Sequence, residues 1–170
     1  MAALLGKYEF AIARSRTTVK TPDMSRPMKN DYSHEIVADR SVSEAFPLFT
    51  PKGEEAWVPG WNPTYIRPET GETCEEMIFT TGEGDEKTFW TCLSWQPDQW
   101  HVRYLRLTPN SRVAFVDVQC RPDGPDRTRV RVAYQVHAIS DHGHSYLQDL
   151  TESKFAKSID EWCDMIQAMA

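Results

Sequence analysis

Residues 127–139 alternate with a period of two. Val130, Val132, Tyr134 and Val136 fall on one side; Arg129, Arg131, Gln135 and His137 fall on the other. This is the pattern of a strand with one buried face and one wet face, and the buried face must be covered by another layer. The C-terminal segment can supply the cover. Leu147, Leu150, Phe155, Ile159, Trp162 and Ile166 recur along one stripe, with Lys154, Lys157, Asp160, Glu161 and Asp164 on much of the remainder. The spacing predicts one helix over residues 145–169, roughly 37 Å long at ~1.5 Å per residue. A long helix laid across a curved, one-faced antiparallel sheet gives an α+β domain.

Working back from the last strand extends the sheet. Candidate strands cover residues 73–81, 87–95, 99–108 and 112–121, separated by Gly82-Glu83-Gly84-Asp85, Gln96-Pro97-Asp98, Pro109-Asn110-Ser111 and Pro122-Asp123-Gly124-Pro125-Asp126. Turns this short make neighbouring strands antiparallel. In that register Ala114, Val116 and Val118, then Val102, Tyr104 and Arg106, then Trp90 and Cys92 join the buried face. A first strand over residues 32–38 places His34, Ile36 and Ala38 together. Two short helices should follow it. Ser41 and Glu44 have capping-box spacing, and Thr50-Pro51 reads as an N-cap followed by proline at the first helical position. The first helix runs through Phe46 to Phe49. The second carries Glu54, Glu55 and Trp57 and stops at Pro59-Gly60.

A chain of 170 residues, 40% of them hydrophobic, can bury a core without a metal or disulfide staple. Its net charge of -6 argues against a nucleic-acid binder. Residues 1–30 carry six basic and two acidic side chains, a surplus of +4 that leaves -10 on the rest. They read as a weakly ordered N-terminal arm, with a short helix near residues 4–16, ahead of a single domain over 31–170. The cysteines at 74, 92, 120 and 163 form no C-x-x-C pair, so reduced thiols of a cytoplasmic protein are expected. The apolar start from Ala2 to Leu5 is too short for a signal peptide, and no stretch reaches the ~18 apolar residues of a membrane span. No phosphate-binding or dinucleotide fingerprint occurs, so no cofactor is expected, and a homodimer is left open.

The order strand, two short helices, antiparallel strands, long helix resembles the helix grip of the SRPBCC superfamily, which holds START lipid-transfer domains, birch-pollen-allergen-like proteins and polyketide cyclases. Phe46-Pro47-Leu48-Phe49-Thr50-Pro51-Lys52-Gly53-Glu54, followed by Trp57-Val58-Pro59-Gly60-Trp61-Asn62-Pro63, is similar to the opening segment of an uncharacterised bacterial subgroup. Tyr104-Leu105-Arg106-Leu107-Thr108-Pro109 resembles its mid-sheet strand; Tyr134, Ala138-Ile139-Ser140, Gly143 and Glu161-Trp162 resemble its last strand and helix. The resemblance spans residues 31–168. It implies a cavity between helix and sheet but no shared catalytic motif, because a fold does not fix a function.

The cavity-lining candidates are Glu54, Trp57, Trp61, Trp90, Tyr104, Arg106, Tyr134 and His34. Trp57 and Trp61 lie on the segment that resembles the cavity rim, where flat rings suit a planar or steroid-like ligand. Arg106 needs a partner if it is buried: Glu54 or Glu55 as a structural clamp, or a ligand carboxylate or phenolate. His34, Glu54, Tyr104 and Tyr134 are the residues able to act as acid or base. His137 and His142 have H-x4-H spacing, but a strand and a turn separate them and no metal site is expected. The leading functional expectation is binding or transport of a small hydrophobic ligand. The alternative is a polyketide cyclase/aromatase- or dehydratase-like enzyme, which would need convergent polar groups in the cavity. A third class is a partner-binding module like the Hsp90-activator relatives, which would expose a large apolar patch.

Overall fold

The computed structural model describes residues 29–169. The expected arm and its helix near residues 4–16 lie outside them. Seven strands form one antiparallel sheet: β1 (Lys29–Ala38), β2 (Thr64–Arg67), β3 (Ile78–Thr81), β4 (Thr88–Gln96), β5 (His101–Thr108), β6 (Arg112–Pro122) and β7 (Thr128–Ala138). Their order in space is β1-β7-β6-β5-β4-β3-β2, so every pair except β1 with β7 joins neighbours in sequence.

The register is the one the alternation demands. Cys92, Tyr104, Val116, Tyr134 and Tyr32 stand opposite one another in a row across five strands. A neighbouring row runs Phe79, Trp90, Arg106, Ala114, Val136 and Asn30. Val130, Val132 and Val136 are buried, whereas Arg129 and Arg131 are exposed. The opposite face exposes Ile78, Phe89 and Leu93.

Between β1 and β2 lie α1 (Val42–Ala45), a 3-10 turn (Phe46–Phe49) and α2 (Pro51–Glu54). The capping box forms as expected: the Ser41 N–H donates to Glu44 Oε2 at 3.2 Å, and the Ser41 hydroxyl donates to the same oxygen at 2.7 Å. Thr50 Oγ1 accepts from the Gly53 N–H at 3.0 Å, with Pro51 following it. Helix α2 is shorter than expected and ends before Trp57. Strand β2 has no counterpart in the sequence reading. Strand β3 starts five residues late, because Glu76 adopts a positive φ of 60° and the chain turns before Met77. Strand β1 starts three residues early, so Lys29 and Asn30 belong to the sheet, not to an arm.

The C-terminal cover is two helices, α3 (Asp141–Asp149) and α4 (Glu152–Gln167), not one. Asn30 Nδ2 donates to the Leu147 and Leu150 carbonyls at 2.8 and 2.9 Å, satisfying acceptors that a continuing helix would use. Thr151 then restarts the helix, its hydroxyl accepting from the Lys154 N–H at 3.3 Å. Phe155, Ile159 and Ile166 of α4 are buried in one core with Ile36, Val130 and Val132, each worth roughly 1.5–3 kcal/mol. Leu147 of α3 packs separately on Ala114, Val136 and Ala138.

Candidate functional site

Between α4, α2 and the concave face of the sheet lies a cavity of about 130 Å³. Its apolar wall includes Phe49, Phe79, Val116, Val118 and Trp162, with Trp61 and Trp90 closing one side. Glu54, Tyr104, Arg106 and Tyr134 supply its polar groups.

Local backbone chemistry aims Glu54 inward. A Cβ on Gly53 would lie 2.0 Å from the Pro47 carbonyl oxygen, so only glycine lets α2 rest this closely on the preceding turn. Gly60, at φ +74°, then reverses the chain and brings Trp61 back over α2, where its Nε1–H donates to the Pro51 carbonyl at 2.7 Å. The Trp61 ring meets Phe79 and Trp90 edge-on at 6.3 and 6.1 Å. Trp90 stacks on Phe79 at 5.5 Å and donates its Nε1–H to Thr81 Oγ1 at 2.8 Å.

Burial pushes the Glu54 carboxyl up to about 8. Some of its surface stays accessible, as expected of a side chain that faces an internal space while protein surrounds it. Burial also raises the Tyr134 hydroxyl to about 12, partly opposed by the Arg106 charge and a hydrogen bond from it. Burial holds the Tyr104 hydroxyl well above the usual phenol range. That hydroxyl is buried and meets no hydrogen-bond partner in good geometry, although Thr73 lies close enough to ease its ionisation slightly.

Arg106 is not clamped by either expected glutamate. Among the described residues no carboxylate lies within 4.0 Å of its guanidinium. Glu54 faces the cavity without a charge partner, and Glu55 accepts the Tyr65 hydroxyl on the exposed side of α2. Instead Arg106 lies 4.9 Å from the Trp90 ring centroid, and its Nε is buried without a partner. Arg112, on the same face of the next strand, also has a buried Nε without a partner but differs in holding a carboxylate. It donates to Glu86 at 2.6 Å and to Ser111 Oγ at 2.9 Å, and it stacks 3.8 Å from Tyr146.

Two candidates fall outside the cavity. Trp57 is buried behind the wall, its Nε1–H donating to the Leu48 carbonyl at 2.8 Å and its ring against Phe49 and Trp162. It packs the segment rather than lining the space. His34 sits on the edge strand, 2.7 Å from Asp160 of α4, and so ties that helix to the sheet margin. Among the described residues no three His, Cys, Asp or Glu side chains come together as a metal site. His137 faces outward against Phe115. The lining residues that the sequence did not single out were legible only as core: Val116 and Val118 by alternation, and Trp162 by its place on the helical stripe.

Curved sheet, paired short helices and the C-terminal helix over a cavity make a helix-grip fold, which the chain shares with solved structures of birch-pollen-allergen-like shape. No family model matches the sequence, and no curated protein matches it. Solved structures do. Norcoclaurine synthase from Thalictrum flavum, in complex with dopamine and hydroxybenzaldehyde, superposes with a TM-score of 0.59 at 12% identity, over 82% of this chain and 87% of its own. A hypothetical protein from Helicobacter pylori, jhp0584, gives 0.62 at 11% identity, over 82% and 86%. CalU16 from Micromonospora echinospora gives 0.52 at 15% identity, over 78% and 68%. At such identities the likeness is one of fold. Among the described residues no helix is long and apolar enough to cross a membrane.

Proposed function

We propose that the protein binds a small hydrophobic molecule, of about one ring, in the cavity between sheet and α4. The observation that carries this reading is the partly open space of about 130 Å³ with walls of Trp, Phe and Val. An apolar cavity of about 150 Å³ accepts benzene, whereas drug-sized ligands occupy roughly 300–1,000 Å³. The volume supports a single planar ring over a steroid-like ligand. Transport and a cytoplasmic setting belong to the same reading and rest on the sequence alone. Thermal unfolding with neutral single-ring compounds, together with native mass spectrometry of the purified chain, tests it. Several degrees of stabilisation by at least one ring is expected. A cavity empty in every preparation and indifferent to every ring would sink it.

One observation favours a second reading, an enzyme of the cyclase or dehydratase kind. A carboxyl raised by burial, two phenols and a cation share one apolar space, so Glu54 or Tyr134 could move a proton while Arg106 steadies an enolate. The structural neighbour that carries a synthase name lends the fold, not the residues. If this reading holds, Glu54→Gln abolishes turnover of a carbonyl substrate yet leaves its binding within about threefold; turnover that survives both Glu54→Gln and Tyr134→Phe removes it.

A further inference from the structure

Arg106 carries a positive charge into the cavity, where Tyr134 accepts a hydrogen bond from it and Glu86 acts on it only from a distance; among the described residues no carboxylate comes within 4.0 Å. Its nearest competitor for an acid, Arg112, holds Glu86 at 2.6 Å. Burial raises the Glu54 carboxyl to about 8, which favours its uncharged form beside the guanidinium. Trp90 compensates only the face of the guanidinium. The N–H donors lie in the plane of the group, and the buried Nε has no acceptor. One N–H of Arg106 is taken by the Tyr134 hydroxyl, and the in-plane N–H groups that remain match the oxygens of a carboxylate. The Tyr104 hydroxyl is a further buried donor with no partner in good geometry, Thr73 lying nearby.

We propose that the cavity ligand is a single-ring aromatic carboxylate, its two oxygens on the Nε edge of Arg106 and its ring among the apolar side chains of the wall. This rests on the reading that the cavity holds a ligand and names its class. The volume admits one ring, and one cation without a carboxylate calls for one negative charge. A phosphate ester would bring more charge and more bulk than the site offers. A phenolate offers one oxygen where Arg106 presents two donors.

Calorimetric titration of the full chain with benzoate, benzyl alcohol, phenolate-forming nitrophenol and benzylamine tests the assignment. Benzoate should bind at least tenfold more tightly than the other three. Arg106→Met should weaken benzoate by roughly 10- to 100-fold, the range of a charge-assisted pair, and change benzyl alcohol by less than about threefold. Equal affinity for benzoate and benzyl alcohol, or tighter nitrophenol or benzylamine, overturns the carboxylate assignment while leaving the ligand-holding reading intact. If no compound binds, and neutral toluene does not either, that reading falls with it. Should Arg106→Met fail to fold, the order of affinities in the unaltered chain decides the matter.

Discussion

Trp90 and Arg106 stand directly opposite each other on β4 and β5, and the guanidinium carbon lies 4.9 Å from the centre of the indole ring. The same indole stacks on Phe79 and is tied through its N–H to Thr81, so one side chain both braces the cavity wall and holds the cation in place. Replacing Trp90 by leucine loses the stack, the hydrogen bond and the cation contact together. Urea unfolding should show a loss of about 3–5 kcal/mol. Trp90→Phe, which keeps a ring, should lose markedly less. Equal losses for the two variants would mean that volume alone matters here.

Glu54 makes stability depend on pH in an uncommon direction. Its carboxyl is raised from 4.5 to about 8 by burial. Between those values the unfolded chain gives up the proton while the folded chain keeps it. Stability therefore falls as pH rises through that window, by up to about 1.4 kcal/mol per pH unit, and above pH 8 the loss is complete. Glu54→Gln removes the dependence. The variant should be more stable than the parent at pH 8.5, with the advantage vanishing near pH 4.5. Denaturant titrations at pH 5, 7 and 8.5 measure this, and parallel profiles for the two proteins would contradict it.

The break between α3 and α4 depends on Asn30, a residue more than a hundred positions away in the chain. Asn30→Ala leaves the Leu147 and Leu150 carbonyls without their donor and should cost about 1–3 kcal/mol. Hydrogen exchange should quicken first at the α3–α4 junction. Protection there equal to that of the parent would show that the break is held by other forces.

That junction also shows what could and could not be read beforehand. Leu147 and Leu150 continue the periodicity of Phe155, Ile159 and Ile166, so a local pattern sees one helix; the interruption comes from a side chain on β1. Likewise β2 has only four residues, Thr64–Arg67, too few for alternation to stand out. The register of β4 to β7 was legible because a one-residue slip would put every Val on the wet face. This placed Trp90, Tyr104, Arg106 and Tyr134 on the concave side. Arg106's lack of a carboxylate was not legible, because Glu54 does face the same cavity and only the spacing of α2 from β5 keeps it beyond 4.0 Å of the guanidinium. His34 obeyed the alternation as well, but being on an edge strand carried it out to Asp160.

Trp61 bounds the cavity on one side. On the other is an outer groove shared with Gly60, Asn62, Thr80 and Thr81. Its ring is held by edge contacts with Phe79 and Trp90 and by one hydrogen bond to Pro51, and it lines both spaces. Trp61→Ala should join them. The variant should lose about 2–4 kcal/mol of stability, because half of the wall's edge-on packing goes with the ring. In return it should bind a two-ring compound such as naphthoate that the parent rejects, and its affinity for a single ring should fall, because the ring then has wall on fewer sides. Titration of both proteins with benzoate and naphthoate separates size selection from general damage. A variant that weakens for both ligands in the same proportion would show that Trp61 supports the site without defining its volume.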